Sequence, residues 1–186
     1  MKKLINKILY GSSLIAYSSK NEIQAFKILE KIPNRIDIGI NYIVHYSDIE
    51  NFFDTLAYKR DYKINYLLGN KDQYIVINVP NIQFNNYDDH LVKTKFLKTI
   101  HSKVYQMNNS DSDIKNHLIY LTHTYNTFDG KFAIKGGTQL IYMMDLVITI
   151  DNDVLRVVKD RNGVESTYDI KSELREIDLK NILDEN

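Results

Sequence analysis

The chain has no cysteine among its 186 residues, and this absence removes several kinds of site at once. Thiolate zinc sites, iron–sulfur clusters and thiol catalysis all require cysteine, so the sequence excludes them. Proline is scarce, with 2 residues, and the 24 basic side chains balance the 24 acidic ones. This balance argues against a uniformly basic nucleic-acid-binding surface, although a local basic patch is compatible with it.

The chain also lacks a long apolar run. No unbroken stretch approaches the ~20 residues that a membrane-spanning helix needs. Lys2 and Lys3 precede an apolar segment at 4–16, but polar residues interrupt that segment and it contains no clean small-x-small cleavage site. We therefore expect a soluble, intracellular protein of the cytoplasm, or of the host cytoplasm if the chain is viral, with no membrane partner.

The length is typical of one domain, and a chain of this size buries roughly 70 % of the surface that its unfolded form exposes. Neither disulfides nor a structural metal is needed for it to fold. We expect a domain at 1–172 and a charged helical tail at 173–186, in which spaced apolar residues act as anchors.

Short β-branched runs alternate along the chain with segments of helical periodicity. The patterns predict strands at 14–17, 41–46, 63–68, 74–79, 117–122, 145–150, 154–158 and 166–170. They predict helices at 22–31, 47–58, 88–107 and 138–144, and an irregular stretch at 125–137. The pair Asn162-Gly163 predicts a hairpin turn. This order indicates an α/β fold with a mostly parallel central sheet, flanking helices and antiparallel strands at its C-terminal edge.

Four strings occur in a suggestive order between residues 75 and 163. They are Ile-Val-Ile-Asn at 75–78, Leu-Ile-Tyr-Leu-Thr-His at 118–123, Gly136-Gly137 with Met-Asp-Leu-Val at 144–147, and Lys-Asp-Arg-Asn-Gly at 159–163. Together they resemble the RecA-like ATPase core of bacterial recombinases and of the motor domain of hexameric replicative helicases. The resemblance spans about 14–170. It implies a RecA-like sheet, with the first string as the Walker B strand and the second as the strand that ends in a phosphate sensor.

The residues of the implied nucleotide site depart from the family pattern. A phosphate-binding loop needs glycines, a lysine for the terminal phosphates and a hydroxyl for magnesium. The corresponding segment has no glycine; it consists of Ser18, Ser19, Lys20 and Asn21 and is followed by an acidic residue. Asn78 replaces the Walker B carboxylate, and His123 stands at the sensor position, where a structural histidine is the alternative. The sequence therefore predicts a degenerate nucleotide site with no catalytic residue.

Two further sets of residues have roles that the resemblance implies. Lys159 and Arg161 match a basic pair that reaches into the ATP site of a neighbouring subunit; the alternative is a solvated charge run at a hairpin turn. The stretch 125–137 falls where the family places a DNA-contacting loop. Its aromatic and basic side chains suit base stacking and phosphate pairing, and the alternative is that they pack back on the sheet. They are Tyr125, Phe128, Lys131, Phe132 and Lys135.

We therefore expect a catalytically inactive RecA-like domain, of viral or mobile-element type, that acts as a binding or assembly subunit in DNA replication or recombination. Its expected partners are single-stranded DNA, a RecA-like or helicase subunit, or further copies of the chain. We expect no cofactor, and no metal site, because the histidines lack ligand spacing. Two alternatives remain: an active DNA-dependent ATPase that uses Lys20 and Asp48, or a virion or scaffold protein that retains only the fold.

Overall fold

The computed structural model describes residues 2–38, 52–54, 56–81, 90–109, 114–128, 132–135, 137–161 and 166–169. The strands within these ranges are β1 (Ser12–Tyr17), β2 (Arg35–Ile38), β3 (Asp72–Asn78), β4 (Lys115–Asn126), β5 (Phe132–Ile134), β6 (Leu146–Asp151), β7 (Val154–Lys159) and β8 (Ser166–Asp169). The helices are α1 (Lys2–Ile8), α2 (Glu22–Leu29), α3 (Leu56–Leu67), α4 (His90–Asn108) and α5 (Gly137–Met143).

The strands form a sheet in the order β2-β3-β4-β1-β6-β7-β8, and β5 pairs with β4 to one side of it. The neighbours from β2 to β6 are parallel, whereas β6, β7 and β8 are antiparallel to one another. The predicted α/β fold, with a mostly parallel sheet and antiparallel strands at its C-terminal edge, is confirmed.

Helices cover both faces of the sheet. Side chains of α3, α4 and α5 pack on one face, and side chains of α1 and α2 pack on the other. β1 is buried along its whole length, because both of its faces are covered. A strand of this kind is apolar almost throughout, which explains the continuous β-branched runs in the sequence. Each fully buried Ile or Leu stabilises the fold by roughly 1.5–3 kcal/mol.

The predicted strand at 63–68 is wrong, because these residues belong to the end of α3 and the turn after it. Ile64 and Leu67 are exposed on the helix, so their apolar character does not reflect burial in a sheet. The helix ends at Leu67, and Gly69 in the following turn has a φ of 73°, in the left-handed region that a helix terminus favours. The N–H of Gly69 donates to the carbonyl of Tyr66 across 3.0 Å.

Several elements differ from the predicted ones. α1 and β2 were not predicted, and the stretch 125–137 is not irregular, because it contains the end of β4, all of β5 and the start of α5. Within the predicted helix 47–58, the described part is a 3-10 turn at Phe52–Asp54 and the start of α3. The predicted strand 41–46, Asp48, Asn162-Gly163 and the tail 173–186 lie outside the described residues. Within the described ranges, no helix has both the length and the apolar character needed to cross a bilayer.

Candidate functional site

Three neighbouring parallel strands, β1, β4 and β3, end at the same edge of the sheet, the carboxyl edge. The pairing places Tyr17 beside His123 and Asn78 beside Leu121. The segment after β1 leads to α2 on one face, whereas the segment after β4 leads to α5 on the other. Neighbouring strands that diverge in this way leave a crevice at the carboxyl edge, where open α/β sheets bind their ligands. The structure thus brings residues 18–21, Asn78 and His123 to one edge.

The segment 18–21 is a tight turn whose polar groups bond to the protein itself. The backbone N–H of Ser18 donates to the carbonyl of Ile150 across 3.1 Å, and that of Asn21 donates to the carbonyl of Ser18 across 2.8 Å. The hydroxyl of Ser18 donates to Oδ1 of Asn21 across 2.7 Å. Ser19 and Lys20 are exposed on the turn. Because a phosphate-binding loop needs its N–H groups free to point at the anion, this turn lacks two of the donors such a loop would use.

A carboxylate lies beside the first turn of α2. Oδ1 of Asp153, from the turn between β6 and β7, accepts hydrogen bonds from Nε2 of Gln24 at 2.9 Å and from Nδ2 of Asn21 at 3.4 Å. Asp153 has a φ of 61°, a left-handed conformation that Asp tolerates better than most residues. A fixed negative charge beside a helix N-terminus complements the helix dipole and repels phosphate. The sequence alone gives no indication of this contact, because nothing local links Asp153 to α2.

His123 packs against an aromatic ring. The rings of His123 and Tyr17 meet edge to face, with 5.0 Å between their centroids and 90° between their planes. Tyr17 is fully buried. Burial, together with the neighbouring charge of Glu22, raises the pKa of Tyr17 to about 12. The edge-to-face contact favours the structural role of His123 over phosphate sensing.

Asn78, at the end of β3, has an unusual environment. Its side chain is 3 % exposed, and neither Nδ2 nor Oδ1 has a hydrogen-bond partner. A neutral amide cannot supply the negative charge with which a Walker B carboxylate holds magnesium. The structure therefore offers no carboxylate at this position of the carboxyl edge.

The predicted nucleic-acid contact lies on a hairpin formed by β4 and β5. Tyr125 pairs with Ala133 in this hairpin, and Thr122 Oγ1 donates to the carbonyl of Lys135 across 2.9 Å. Phe128 is fully exposed, Tyr125 is 47 % exposed and Lys135 is exposed. Tyr125 and Phe128 therefore do not pack back on the sheet. Lys131 lies outside the described residues, and for Phe132 the structure describes only the backbone.

The predicted trans-acting pair lies at the opposite edge of the sheet, the amino edge. Nζ of Lys159 donates to the carbonyls of Ile141, Tyr142 and Met144, at 3.2, 3.1 and 2.6 Å, and so closes the C-terminal end of α5. Between the two basic residues, Asp160 forms an ion pair with Lys7 and its side chain is 6 % exposed. Lys159 and Asp160 are thus bound to the fold, whereas the side chain of Arg161 is half-exposed.

Arg161 is held in place by an acidic partner. Its Nη2 lies 2.8 Å from Oδ1 of Asp145, and its guanidinium lies over the ring of Tyr10, 5.1 Å from the centroid. Asp145 just precedes β6, whereas Ile150, whose carbonyl accepts from the N–H of Ser18, lies near the end of that strand. Asp145 and Ile150 are separated by roughly 17 Å of extended chain. Arg161 is therefore far from residues 18–21 of its own chain.

Asp145 is the centre of this amino-edge cluster. Its Oδ2 accepts hydrogen bonds from the backbone N–H and the hydroxyl of Ser12, both at 3.0 Å. Burial alone would raise the pKa of Asp145, but the hydrogen bonds from Arg161 and Ser12 outweigh it and hold that pKa below its usual range. A cleft of about 320 Å³ opens beside these residues. Sequence reasoning missed this cluster, because its members come from distant parts of the chain.

His117, on β4, also lies at the amino edge of the sheet and forms hydrogen bonds there. Its Nδ1 accepts a hydrogen bond from the backbone N–H of Gly11 at 3.1 Å, so Nε2 carries the proton and lies 3.1 Å from Oδ1 of Asp72. The ring stacks on Tyr74, with 5.0 Å between centroids. His117 is thus a structural residue in a hydrogen-bonded network.

No cluster of metal-ligating side chains occurs in the part of the chain that the structure describes. Comparison with models of known protein families finds no match to the chain, and comparison with curated proteins likewise finds none. The function must therefore be inferred from the geometry of the side chains.

Proposed function

We propose that the chain is a RecA-like domain whose nucleotide site is closed, and that it acts as a non-hydrolysing binding or assembly subunit in DNA replication or recombination, of viral or mobile-element type. The observation that carries the proposal is the Asp153 carboxylate, hydrogen-bonded to Asn21 and Gln24 where a phosphate would approach α2. In this proposal the central sheet is retained, whereas the Asp153 carboxylate lies where the phosphate of a nucleotide would bind.

The sheet order supports the RecA-like assignment. A nucleotide site of this family combines the loop after the first strand, the Walker B strand and the sensor strand, so the ends of these strands must be neighbours. β1, β4 and β3 are neighbours and parallel. The degenerate residues 18–21, Asn78 and His123 therefore lie at the carboxyl edge, where such a site would form.

The energetics favour loss of nucleotide binding. Each charge-assisted hydrogen bond between a loop and a phosphate contributes about 1.5–3 kcal/mol. The N–H groups of Ser18 and Asn21 are engaged, Lys20 is an isolated exposed cation, and Asp153 adds repulsion. These losses together remove most of the binding free energy that an ordinary nucleotide site provides.

The β4–β5 hairpin is the proposed contact with single-stranded DNA. Tyr125 and Phe128 present exposed rings, and Lys135 adds an exposed cation nearby. Stacking of a base on such a ring contributes about 1–3 kcal/mol and tolerates any base sequence. At the far edge, the half-exposed guanidinium of Arg161 is the proposed contact with an acidic group of a partner subunit. Lys159 supports this edge through its three hydrogen bonds at the end of α5.

Fluorescence anisotropy with a labelled single strand tests the DNA contact. We expect salt-dependent binding, weakened at least about tenfold by Tyr125→Ala with Phe128→Ala and also weakened by Lys131→Glu with Lys135→Glu. Tyr142→Ala is the matched control, because Tyr142 is 79 % exposed but lies on α5 outside the hairpin. Unchanged binding in the hairpin variants would contradict the contact. Absence of binding to the wild-type chain would favour the scaffold alternative.

A working ATPase is the remaining rival. It would show DNA-stimulated ATP turnover that disappears in Lys20→Ala. The exposed position of Lys20, outside the hydrogen bonds that fix Ser18 and Asn21, argues against it.

A further inference from the structure

The cleft of about 320 Å³ at the amino edge of the sheet lies between α4 and Arg161. Its lining includes the paired residues Ser12 and Leu118, near the starts of β1 and β4. The degenerate turn 18–21 follows the end of β1, at the carboxyl edge. A ligand held in the cleft would therefore be separate from the nucleotide site.

The cleft offers accessible aromatic surface. One face of α4 contributes His101, Val104, Tyr105 and Asn108, whose spacing places them on the same side of the helix. Tyr105 is 66 % exposed, and Tyr10, which also lines the cleft, is equally exposed. A planar apolar ring can pack against such side chains without first displacing them from the core.

Arg161 supplies accessible hydrogen-bond donors to the cleft. Its side chain is 50 % exposed, and its contact with Asp145 engages Nη2. A guanidinium carries five N–H donors, so donors remain for a ligand. Asp145 is more fully engaged, because Oδ1 contacts Arg161 and Oδ2 accepts two hydrogen bonds from Ser12.

Lys115 is a second cation in the lining of the cleft. It is exposed and has no ionic partner among the described residues. Burial lowers the pKa of His101 below 6.5, and Nδ1 of His117 accepts the N–H of Gly11, so neither histidine adds a charge at neutral pH. Two cations and one carboxylate, that of Asp145, therefore line the cleft, and a ligand with a single negative charge balances them.

A second cavity, of about 380 Å³, shares Arg161 and Asp145 with the cleft but differs in charge. Its further charged residues are Lys7 and Asp160, which form an ion pair with each other. The charges around this cavity cancel, so it has no preference for an anion. The carboxylate of Asp72, which contacts His117, lines neither cavity.

The volume and the charge of the cleft limit the ligand. A cavity of roughly 150 Å³ accommodates a benzene molecule. The cleft, at about 320 Å³, therefore accommodates a two-ring molecule with a short acidic side chain. A phosphate ester carries about 1.5–2 negative charges at pH 7, which exceeds the charge of the lining, whereas a carboxylate carries one.

We propose that the amino-edge cleft binds a small aromatic carboxylate. The carboxylate accepts hydrogen bonds from Arg161, the flexible side chain of Lys115 reaches it from the start of β4, and the ring packs against Tyr105. This inference does not rest on the RecA-like assignment. It shares Arg161 with the proposed partner contact, so an acidic group of a partner would compete with the ligand.

NMR titration of the ¹⁵N-labelled full chain tests the proposal with three probes: indole-3-acetate, indole-3-acetamide and acetate. We expect indole-3-acetate to shift the backbone amide signals of Gly11, Tyr105 and Lys115 and the Nε–H signal of Arg161, with a dissociation constant on the order of 1 mM. Indole-3-acetamide has the ring without the charge, and acetate has the charge without the ring. Each should bind at least about tenfold more weakly.

Tyr105→Ala with Lys115→Gln is the decisive variant. Neither side chain has a partner among the described residues, so the double variant should fold, and it should bind indole-3-acetate at least about tenfold more weakly. Tyr142→Ala with Lys103→Gln is the matched control, because both residues are exposed but neither lines the cleft. The control should bind as the wild-type chain does.

Arg161→Gln tests the anion contact itself and should also weaken binding at least about tenfold. Arg161 holds Asp145 as well, so its loss affects the fold of this edge. If Arg161→Gln fails to fold, the double variant and the comparison of indole-3-acetate with indole-3-acetamide on the wild-type chain decide.

Four results would overturn the proposal. They are the absence of shifts at the cleft with indole-3-acetate, equal binding of either control probe, wild-type binding by the double variant, and shifts confined to Tyr125 and Phe128 of the β4–β5 hairpin. None of these results bears on the DNA contact or on the loss of nucleotide binding, which are measured with other ligands.

Discussion

Asp153 accepts a hydrogen bond from Nε2 of Gln24 across 2.9 Å, which ties the turn between β6 and β7 to the first turn of α2. The same carboxylate oxygen also accepts a hydrogen bond from Nδ2 of Asn21. The turn between β6 and β7, although distant in sequence, thus packs against the N-terminus of α2. In a phosphate-binding protein this position would be left to the ligand.

The first prediction concerns this carboxylate. Asp153→Ala should lower the free energy of unfolding by about 1–3 kcal/mol, because Asn21 is 3 % exposed and would lose its acceptor. The left-handed φ of Asp153 adds to the cost of alanine. Asp153→Asn should cost less, since an amide oxygen still accepts and Asn tolerates this conformation. Urea denaturation measures both.

The control for this pair is Asp151→Asn, in the same turn. Asp151 accepts only an exposed hydrogen bond from Asn152 among the contacts described for it, so the change should stay within about 0.5 kcal/mol of the wild-type chain. If Asp151→Asn and Asp153→Ala destabilise equally, the link between Asp153 and α2 has no special energetic role.

The second prediction compares two glycines that share a left-handed backbone. Gly11 has a φ of 79° and Gly69 a φ of 73°, so alanine is strained at both. A Cβ at Gly11 would overlap Oδ2 of Asp145 and lie 3.0 Å from Nη2 of Arg161, whereas a Cβ at Gly69 would meet nothing within 4 Å. Gly11→Ala should therefore destabilise the chain by at least about 1 kcal/mol more than Gly69→Ala.

Thermal unfolding of the two glycine variants measures this difference. Because the backbone strain is similar in both, their comparison isolates the overlap with Asp145 and Arg161. Equal melting temperatures would show that the amino-edge cluster moves aside without cost.

The third prediction is a pH dependence centred on Asp145. Its pKa is held below the ordinary value of 3.8 in the folded chain, because the hydrogen bonds from Arg161 and Ser12 outweigh burial. A lowered folded-state pKa stabilises the protein above the unfolded-state pKa, and the stabilisation is lost as the pH falls through the folded-state value. The free energy of unfolding should therefore fall as the pH drops below 3.8.

Asp145→Asn tests this assignment, because it removes the titrating group and keeps an acceptor. The variant should be less stable at pH 7 and should lose less stability on acidification than the wild-type chain. Chemical denaturation at pH values from 7 to about 2.5 measures both curves. Parallel curves for the two proteins would assign the acid dependence to other carboxylates.

The fourth prediction concerns Lys159, whose ammonium group bonds three carbonyls at the end of α5. Lys159→Met keeps most of the apolar stem and removes the charge, so it should lower the free energy of unfolding by about 1–2 kcal/mol. Lys20→Met, at an exposed lysine, should change it by less than about 0.5 kcal/mol. Equal stability of the two variants would show that these three hydrogen bonds do not stabilise the end of α5.

Much of the fold could be predicted because burial on both faces leaves a strong local pattern. The predicted strands at 14–17, 74–79 and 117–122 correspond to β1, β3 and β4, whose interior residues are almost entirely apolar. β2 escaped prediction because it has only four residues and two of them are charged. The strand predicted at 63–68 failed because exposed apolar residues on α3 imitate a strand, while Gly69 marks a helix end.

The site was less predictable, because its decisive contacts are long-range. The absence of glycine at 18–21 indicated a degenerate loop, but no local pattern indicated that Asp153 would occupy the start of α2. Ser12 and Asp145 likewise meet only after folding. Hydrogen bonds of this kind connect residues more than one hundred positions apart and leave no periodicity in the sequence.

The proposed loss of nucleotide binding is tested most directly by titration of the wild-type chain with a fluorescent ATP analogue in the presence of Mg²⁺. Because Asp153 repels phosphate, two N–H groups of the turn 18–21 are engaged and Asn78 supplies no charge for Mg²⁺, we expect no saturable binding up to about 1 mM analogue. Magnesium-dependent binding in the micromolar range, displaced by unlabelled ATP, would contradict the account.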